Sequence, residues 1–129
     1  MTTRKTSATV GQAWTPAEQA ALIAAYNAMH RADTAGQKYS KAAVNRYLRD
    51  DLPAAAAPHV KDIYCCHDLG LKGCRGSLRA RSRGSVEAKL MNISGARDVL
   101  HLPILAGYKP APNFQTSLIA LVQQAEVTA

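Results

Sequence analysis

The sequence predicts a mainly α protein, and two features of its composition support this. Alanine, the strongest helix former, recurs throughout the chain. Only 5% of the residues are aromatic, whereas β-strands draw on aromatic and β-branched side chains. Hydrophobic residues make up 47% of the 129 positions and charged residues 19%, which is enough apolar material for one core in a chain too short for two large ones. We therefore expect one helical domain over residues 14–129.

The N-terminal segment, residues 1–13, is predicted to be a flexible basic arm. It is polar, carries Arg4 and Lys5, and shows no apolar periodicity. A basic arm of this kind can touch phosphate groups. Trp14 follows the arm, and we expect its side chain to pack inside the helical core, because the residue before a capping box usually packs onto the first helical turn.

Helix one has the clearest start signal in the sequence. Thr15 is the predicted N-cap, Pro16 takes the first helical position, and Glu18 completes a capping box. The helix is expected to end near residue 32, with Gly36 as the stop. Apolar residues follow the cap at helical spacing: Leu22, Ile23, Tyr26 and Met29.

A second helix and an irregular insertion are predicted next. Ser40 caps this helix and Pro53 ends it. Its apolar positions share one face: Val44, Tyr47, Leu48 and Leu52. Residues 53–79 form the insertion, in which a proline-bounded alanine run over 53–58 indicates a linker and three glycines punctuate the remainder.

A third long helix is predicted to begin after Ser82, which is a good N-cap. Its core positions recur at helical spacing: Val86, Leu90 and Ile93. Gly95 is expected to break or bend this helix. After a loop rich in proline, Asn113 is the predicted cap of a last helix. That helix has four apolar positions: Phe114, Leu118, Leu121 and Val122.

Positive charge is concentrated in one part of the chain. Sixteen Lys and Arg stand against nine Asp and Glu, a formal net charge of +7, and such a balance is typical of proteins with a polyanionic partner. Six of the sixteen lie close together and are opposed only by Glu87: Lys72, Arg75, Arg79, Arg81, Arg83 and Lys89. Arginine forms bidentate bonds with phosphate groups and guanine edges, and a helix N-terminus adds free backbone amides. The alternative is an ordinary solvated face of a surface helix.

The order of the helices adds a resemblance to this charge pattern. Three helices, the first opening with Trp-Thr-Pro-x-Glu and the third with a basic N-terminus, resemble the Myb-like and homeodomain-like helix-turn-helix class. A closer resemblance is carried by five groups of residues: Trp14–Glu18; Tyr39–Lys41 with Asn45–Leu48; Arg81–Lys89; Asn92–Ser94; and Gly107–Pro110 with Asn113–Gln115. Together they look like an uncharacterised module found near the N-termini of some bacterial HNH-nuclease and restriction-associated proteins.

Two departures limit what this resemblance implies. In the module the second helix leads almost directly into the Arg-Ser motif, whereas residues 53–79 intervene here, and the sequence shows no nuclease domain. The resemblance therefore implies a three-helix helix-turn-helix-like core that binds duplex DNA without cleaving it. The third helix would be the reading element, and seven residues are the predicted nucleic-acid contacts: Arg79, Arg81, Arg83, Ser85, Lys89, Asn92 and Lys109.

A protein partner is the alternative to nucleic acid. A small interaction or inhibitor module of a mobile element, without catalytic activity, could use the same basic face on a nucleoprotein or on an acidic protein surface. Salt dependence separates the two, because phosphate binding loses affinity linearly in log salt.

Cysteine and histidine residues lie close together in the insertion. Cys65, Cys66, His67 and Cys74, with His59 nearby, are enough ligands in number for tetrahedral zinc. Adjacent cysteines point in different directions, however, and no CxxC pair is present. The sequence predicts no cofactor, and zinc on these residues stays open as the alternative to buried or incidental thiols.

No catalytic pattern is evident. The chain has no HNH-type histidine cluster, no nuclease-type carboxylate pattern, no phosphate-binding glycine loop and no GxSxG, and His30 and His101 stand alone. We expect no enzyme activity. No stretch approaches the roughly 18 apolar residues of a membrane span, and the polar start of the chain lacks the apolar core of a signal peptide. We therefore expect a cytoplasmic protein with no membrane partner.

Overall fold

Helices account for all the regular secondary structure in the part of the chain that can be described. A computed structural model describes residues 13–50 and 65–128. Its elements are α1 (Pro16–Ala35), α2 (Lys41–Arg49), a short 3-10 helix (Lys72–Cys74), α3 (Arg83–Val99) and α4 (Thr116–Thr128), and residues 65–68 are also helical. The prediction of a mainly α fold is confirmed. None of these described helices is long and apolar enough to span a bilayer.

The predicted start of α1 is confirmed in detail. The Thr15 side chain accepts a hydrogen bond from the backbone N–H of Glu18 at 3.1 Å, and the Glu18 carboxylate accepts one from the N–H of Thr15 at 3.0 Å. These two bonds form a capping box. The helix continues to Ala35, about one turn beyond the predicted end, and stops at Gly36, whose φ of 73° is in the left-handed region.

Side-chain caps also start α2 and α3, as predicted. Ser40 accepts from the N–H of Ala43, and Ser82 accepts from the N–H of Ser85, both at 3.1 Å. The end of α2 differs from the prediction. The helix ends at Arg49 instead of continuing to Pro53, because Asp50 adopts the left-handed conformation (φ 56°) and its N–H turns back to the last helical carbonyls.

Helix α3 lies at the centre of the fold, in contact with α1, α2 and α4. Its three predicted core positions are confirmed, since Val86, Leu90 and Ile93 are buried. The core is completed by side chains from α1, α2 and α4, among them Leu22, Tyr26, Met29, Val44, Tyr47, Leu48, Leu118 and Val122. Helix α4 begins at Thr116, two residues beyond the start that an N-cap at Asn113 predicts.

Gly95 has a packing role and does not break α3. The helix is continuous through this residue. A side chain at Gly95 would collide with the carbonyl oxygen of Ala111 and touch the ring of Phe114. The N–H of Ala111 donates to the carbonyl of Met91 at 3.0 Å. The glycine therefore lets the loop that follows α3 cross directly over the helix backbone.

The hydroxyl of Tyr26 ties that loop to α1 and α3. It accepts a hydrogen bond from the N–H of Leu105 at 2.8 Å and shares a second hydrogen bond with the Ser94 hydroxyl at 2.7 Å. All three groups are buried. Since a buried polar group without a partner is costly, this arrangement fixes the loop position relative to both helices.

Arg97 makes a second buried connection. Its Nε donates to the carbonyl of Pro103 at 2.6 Å, and its Nη1 donates to Asn27 at 3.3 Å and to Glu126 at 3.0 Å. The guanidinium also lies over the ring of Tyr26, 5.6 Å from its centroid. One side chain thus joins α1, α3, α4 and the loop.

The described part of the predicted insertion belongs to the core. Four of its side chains are buried: Cys66, Leu69, Leu71 and Leu78. The N–H of Gly76 donates to the carbonyl of Tyr47 at 3.1 Å, and that of Leu78 donates to the carbonyl of Leu48 at 2.8 Å. Residues 65–79 therefore pack against the C-terminal end of α2. The alanine run over 53–58 and His59 lie outside the described residues.

Candidate nucleic-acid interface

Arg81 faces the protein interior and joins the start of α1 to the start of α3. Only 5% of its side chain is exposed. Its Nε and Nη2 donate to the two carboxylate oxygens of Glu18 at 3.0 and 2.7 Å, and Nη2 also donates to the carbonyl of Ala13 at 3.0 Å. The guanidinium lies 4.8 Å from the centre of the Trp14 ring. The hydrogen bonds from Arg81 lower the pKa of Glu18 against the opposing effect of burial.

Lys89 is also buried, and its side chain contacts the same tryptophan ring. Its ammonium lies 5.6 Å from the ring centroid of Trp14, and its pKa is lowered by burial and by the charge of Arg81. Trp14 itself is partly buried and packs against the core, so it lies at the edge of the core and not deep inside it. Arg81 and Lys89 were both predicted nucleic-acid contacts, but neither is exposed enough to meet a phosphate while it keeps this position.

A pair of exposed arginines lies at the C-terminal end of α2. Arg75 Nε donates to one carboxylate oxygen of Asp50 at 2.8 Å, and Arg79 Nη2 donates to the other at 2.6 Å. The side chains are 46% and 68% exposed, and that of Asp50 is 25% exposed. The pKa of Asp50 is lowered most by its hydrogen bond from Arg79 and next by its hydrogen bond from Arg75. The guanidinium of Arg79 occupies the space where a side chain of Gly76 would project.

Two further arginines are connected through Asn45 of α2. Arg49 Nε donates to the Asn45 side-chain oxygen at 2.6 Å, and the Asn45 amide donates to the backbone carbonyl of Arg83 at 3.4 Å. The side chain of Arg83 is 66% exposed, and its Nε lies 3.5 Å from the carboxylate of Glu87. Asn45, in the middle of α2, therefore links Arg49 at the end of that helix to the start of α3.

These contacts place four arginines around the junction of α2 and α3. We call this surface the basic face and define it as Arg49, Arg75, Arg79 and Arg83. Two carboxylates, those of Asp50 and Glu87, lie among the four guanidiniums. The four guanidiniums therefore exceed the two carboxylates by two positive charges, and arginine is the side chain suited to bidentate phosphate binding.

The exposed side of α3 next to the basic face carries mostly small side chains. Gly84 and Ala88 are exposed, and Ser85 and Asn92 are partly exposed. Lys109 is exposed in the loop after α3, and the preceding residue, Tyr108, has its pKa raised to about 12 by burial and by the nearby charge of Glu87. The predicted contacts other than Arg81 and Lys89 thus keep some solvent exposure.

Sequence reasoning found the stretch of positive charge but not which side chains face solvent. Arg79 and Arg83 were predicted contacts and belong to the basic face. Arg75 belongs to the charge cluster but is not among the seven predicted contacts, and neither is Arg49. The signal for Arg49 is its spacing of four from Asn45, which puts both on one side of α2.

Two of the cysteine and histidine side chains near position 66, those of Cys66 and His67, contact other protein groups. The Cys66 thiol is buried and lies 3.8 Å from the carbonyl of Ala43. The Tyr47 hydroxyl donates to the carbonyl of Lys72 at 3.1 Å, so His67 Nε2 donates to that hydroxyl at 3.2 Å. Burial raises the pKa of the Cys74 thiol.

Within residues 13–50 and 65–128, no three His, Cys, Asp or Glu side chains are grouped to hold a metal ion. The zinc alternative, which included Cys65 and His59, stays a prediction.

Comparisons with protein-family models, with curated proteins and with solved structures found no match to this chain. The resemblance to the Myb-like, restriction-associated module stays a prediction.

Proposed function

We propose that this chain binds duplex DNA through the basic face and the first turns of α3, without a catalytic step. The observation that carries the proposal is the convergence of four arginines on the junction of α2 and α3, with two carboxylates among them. Arginines of this kind position a protein on the phosphate backbone, and phosphate contacts supply most of the affinity for duplex DNA.

The shape of α3 favours a duplex over a flat polyanion. Arg83, Gly84 and Ala88 form an exposed strip with little side-chain bulk beyond the arginine itself. A helix edge of this kind can enter the major groove, where Arg83 reaches phosphate or guanine and Asn92 reaches an adenine edge. Arg75 and Arg79, which belong to the same basic face, would contact the phosphate backbone next to the groove.

The test compares two charge-matched double variants in a fluorescence anisotropy titration on a random duplex at two salt concentrations. Arg79→Ala with Arg83→Ala removes two charges from the basic face. Arg31→Ala with Lys38→Ala removes two exposed charges from the end of α1 and the loop after it. We expect the first variant to lose affinity and to lower the salt slope by about two, and the second to change the slope little.

Circular dichroism shows whether both variants stay folded. Full DNA affinity in a folded Arg79→Ala, Arg83→Ala protein would overturn the proposal and favour the protein-interaction alternative. Equal losses in the two variants would also overturn it, because they would show that net charge and not the basic face governs binding.

A further inference from the structure

We propose that Arg75 and Arg79 form a binding site for one phosphodiester group, and that the Asp50 carboxylate occupies this site in the free protein. The inference rests on the proposed function and names the occupant and the regulation of one part of the basic face. Asp50 then limits the affinity of the chain for nucleic acid, and its side chain leaves the two arginines when a phosphate arrives.

The geometry of the two arginines is that of a prepared anion site. Each oxygen of the Asp50 carboxylate accepts one bond from a different guanidinium, at 2.8 Å from Arg75 and 2.6 Å from Arg79. The two free oxygens of a phosphodiester present the same pair of acceptors. Each arginine offers one nitrogen to Asp50 in these bonds, which leaves further N–H groups on both exposed guanidiniums for an incoming phosphate.

The backbone of this region is held without the Asp50 side chain. The N–H groups of Gly76 and Leu78 donate to the carbonyls of Tyr47 and Leu48, which fixes the arginine-bearing segment to the end of α2. The N–H of Asp50 also turns back to the helix carbonyls. Because main-chain bonds position the two arginines, the carboxylate can move away without releasing the segment.

The balance of charge favours exchange of the carboxylate for a phosphate. One carboxylate faces two guanidiniums, so the cluster keeps one positive charge in excess. Both arginines are well exposed and the carboxylate is partly exposed, and ion pairs at such positions are weak because water screens them. A phosphate that is already held by other contacts on the basic face replaces the carboxylate at little cost.

Asp50→Asn tests the site. Asparagine has nearly the same shape and tolerates the left-handed conformation at φ 56°, but it carries no charge. We expect this variant to bind a random duplex about threefold more tightly. The substitution removes the repulsion between the Asp50 carboxylate and a phosphate a few ångströms away, and at high dielectric that repulsion corresponds to a change of this size. Asp50→Gly, which also accepts this backbone conformation, should show the same gain and serves if the first variant is unstable.

The matched control is Glu87→Gln, which removes the same charge from the partner of Arg83. Each substitution is measured in the wild-type protein and in the Arg75→Ala, Arg79→Ala background. We expect the gain from Asp50→Asn to disappear in that background and the gain from Glu87→Gln to persist.

Two results separate the failure of this inference from that of the proposed function. Wild-type DNA binding with no gain from Asp50→Asn, or a gain that persists without the two arginines, overturns the phosphate site alone. Absence of salt-dependent DNA binding by the wild-type protein overturns the proposed function and the site with it.

Discussion

Replacing Arg81 by alanine should destabilise the fold by about 3 kcal/mol. The substitution removes both bonds to Glu18, the bond to the Ala13 carbonyl and the contact with the Trp14 ring. Breaking a buried ion pair costs about 3–5 kcal/mol because the remaining charge is left without a partner. The Glu18 side chain is 16% exposed, so water reaches the abandoned carboxylate and the cost should fall near the lower end of that range.

Urea unfolding followed by far-UV circular dichroism measures this cost. Arg83→Ala is the control, because the Arg83 side chain is 66% exposed and its loss should change the free energy of unfolding by less than about 0.5 kcal/mol. Arg81→Met combined with Glu18→Gln removes both charges and should recover part of the stability. A destabilisation by Arg81→Ala no larger than that of Arg83→Ala would refute the reasoning.

Three further substitutions or conditions test other parts of the fold. Tyr26→Phe leaves the buried N–H of Leu105 without its acceptor and should cost about 1–3 kcal/mol in urea unfolding; a neutral result would contradict the assigned bond. Gly95→Ala places a methyl group against the carbonyl of Ala111 and should lower the melting temperature, at a cost of about 1–3 kcal/mol. The pKa of Glu18 is lower in the folded protein than in the unfolded chain. The ionised Glu18 carboxylate therefore stabilises the fold above its unfolded pKa of about 4.3, and this stabilisation is lost as the pH falls through the lower pKa of the folded state. Melting curves of Glu18→Gln should therefore show a weaker loss of stability in acid than wild type, and identical acid profiles would exclude the effect.

Local signals in the sequence predicted the starts of α1, α2 and α3 well. A cap depends on side chains within three residues of one another, so Thr15 with Glu18, and Ser82 with Ser85, can be recognised without tertiary information. The role of Gly95 could not be recognised in this way. Glycine within a helical pattern suggests a bend, and only the crossing of the loop at Ala111 explains why α3 continues through it.

The candidate site was predictable in composition but not in orientation. The density of arginine between positions 72 and 89 is visible in the sequence. Which of those arginines faces solvent depends on distant partners, since Arg81 turns inward towards Glu18 and Arg79 turns towards Asp50. Charged residues in a turn follow no helical or strand periodicity, so the sequence does not indicate which of these arginine side chains faces solvent and which faces the core.

The long connections made by α1 have a consequence for the order of folding. Glu18 pairs with a residue 63 positions later, Asn27 with one 70 positions later, and the Tyr26 hydroxyl with one 79 positions later. Helical proteins usually fold fast because their contacts are local, and closure of such long loops slows the search. During synthesis α1 leaves the ribosome before α3 and α4, the helices that pack against it, so its apolar face stays uncovered until they follow. The nascent chain exposes this face for as long as it ends before α3, and aggregation is most favoured at that stage.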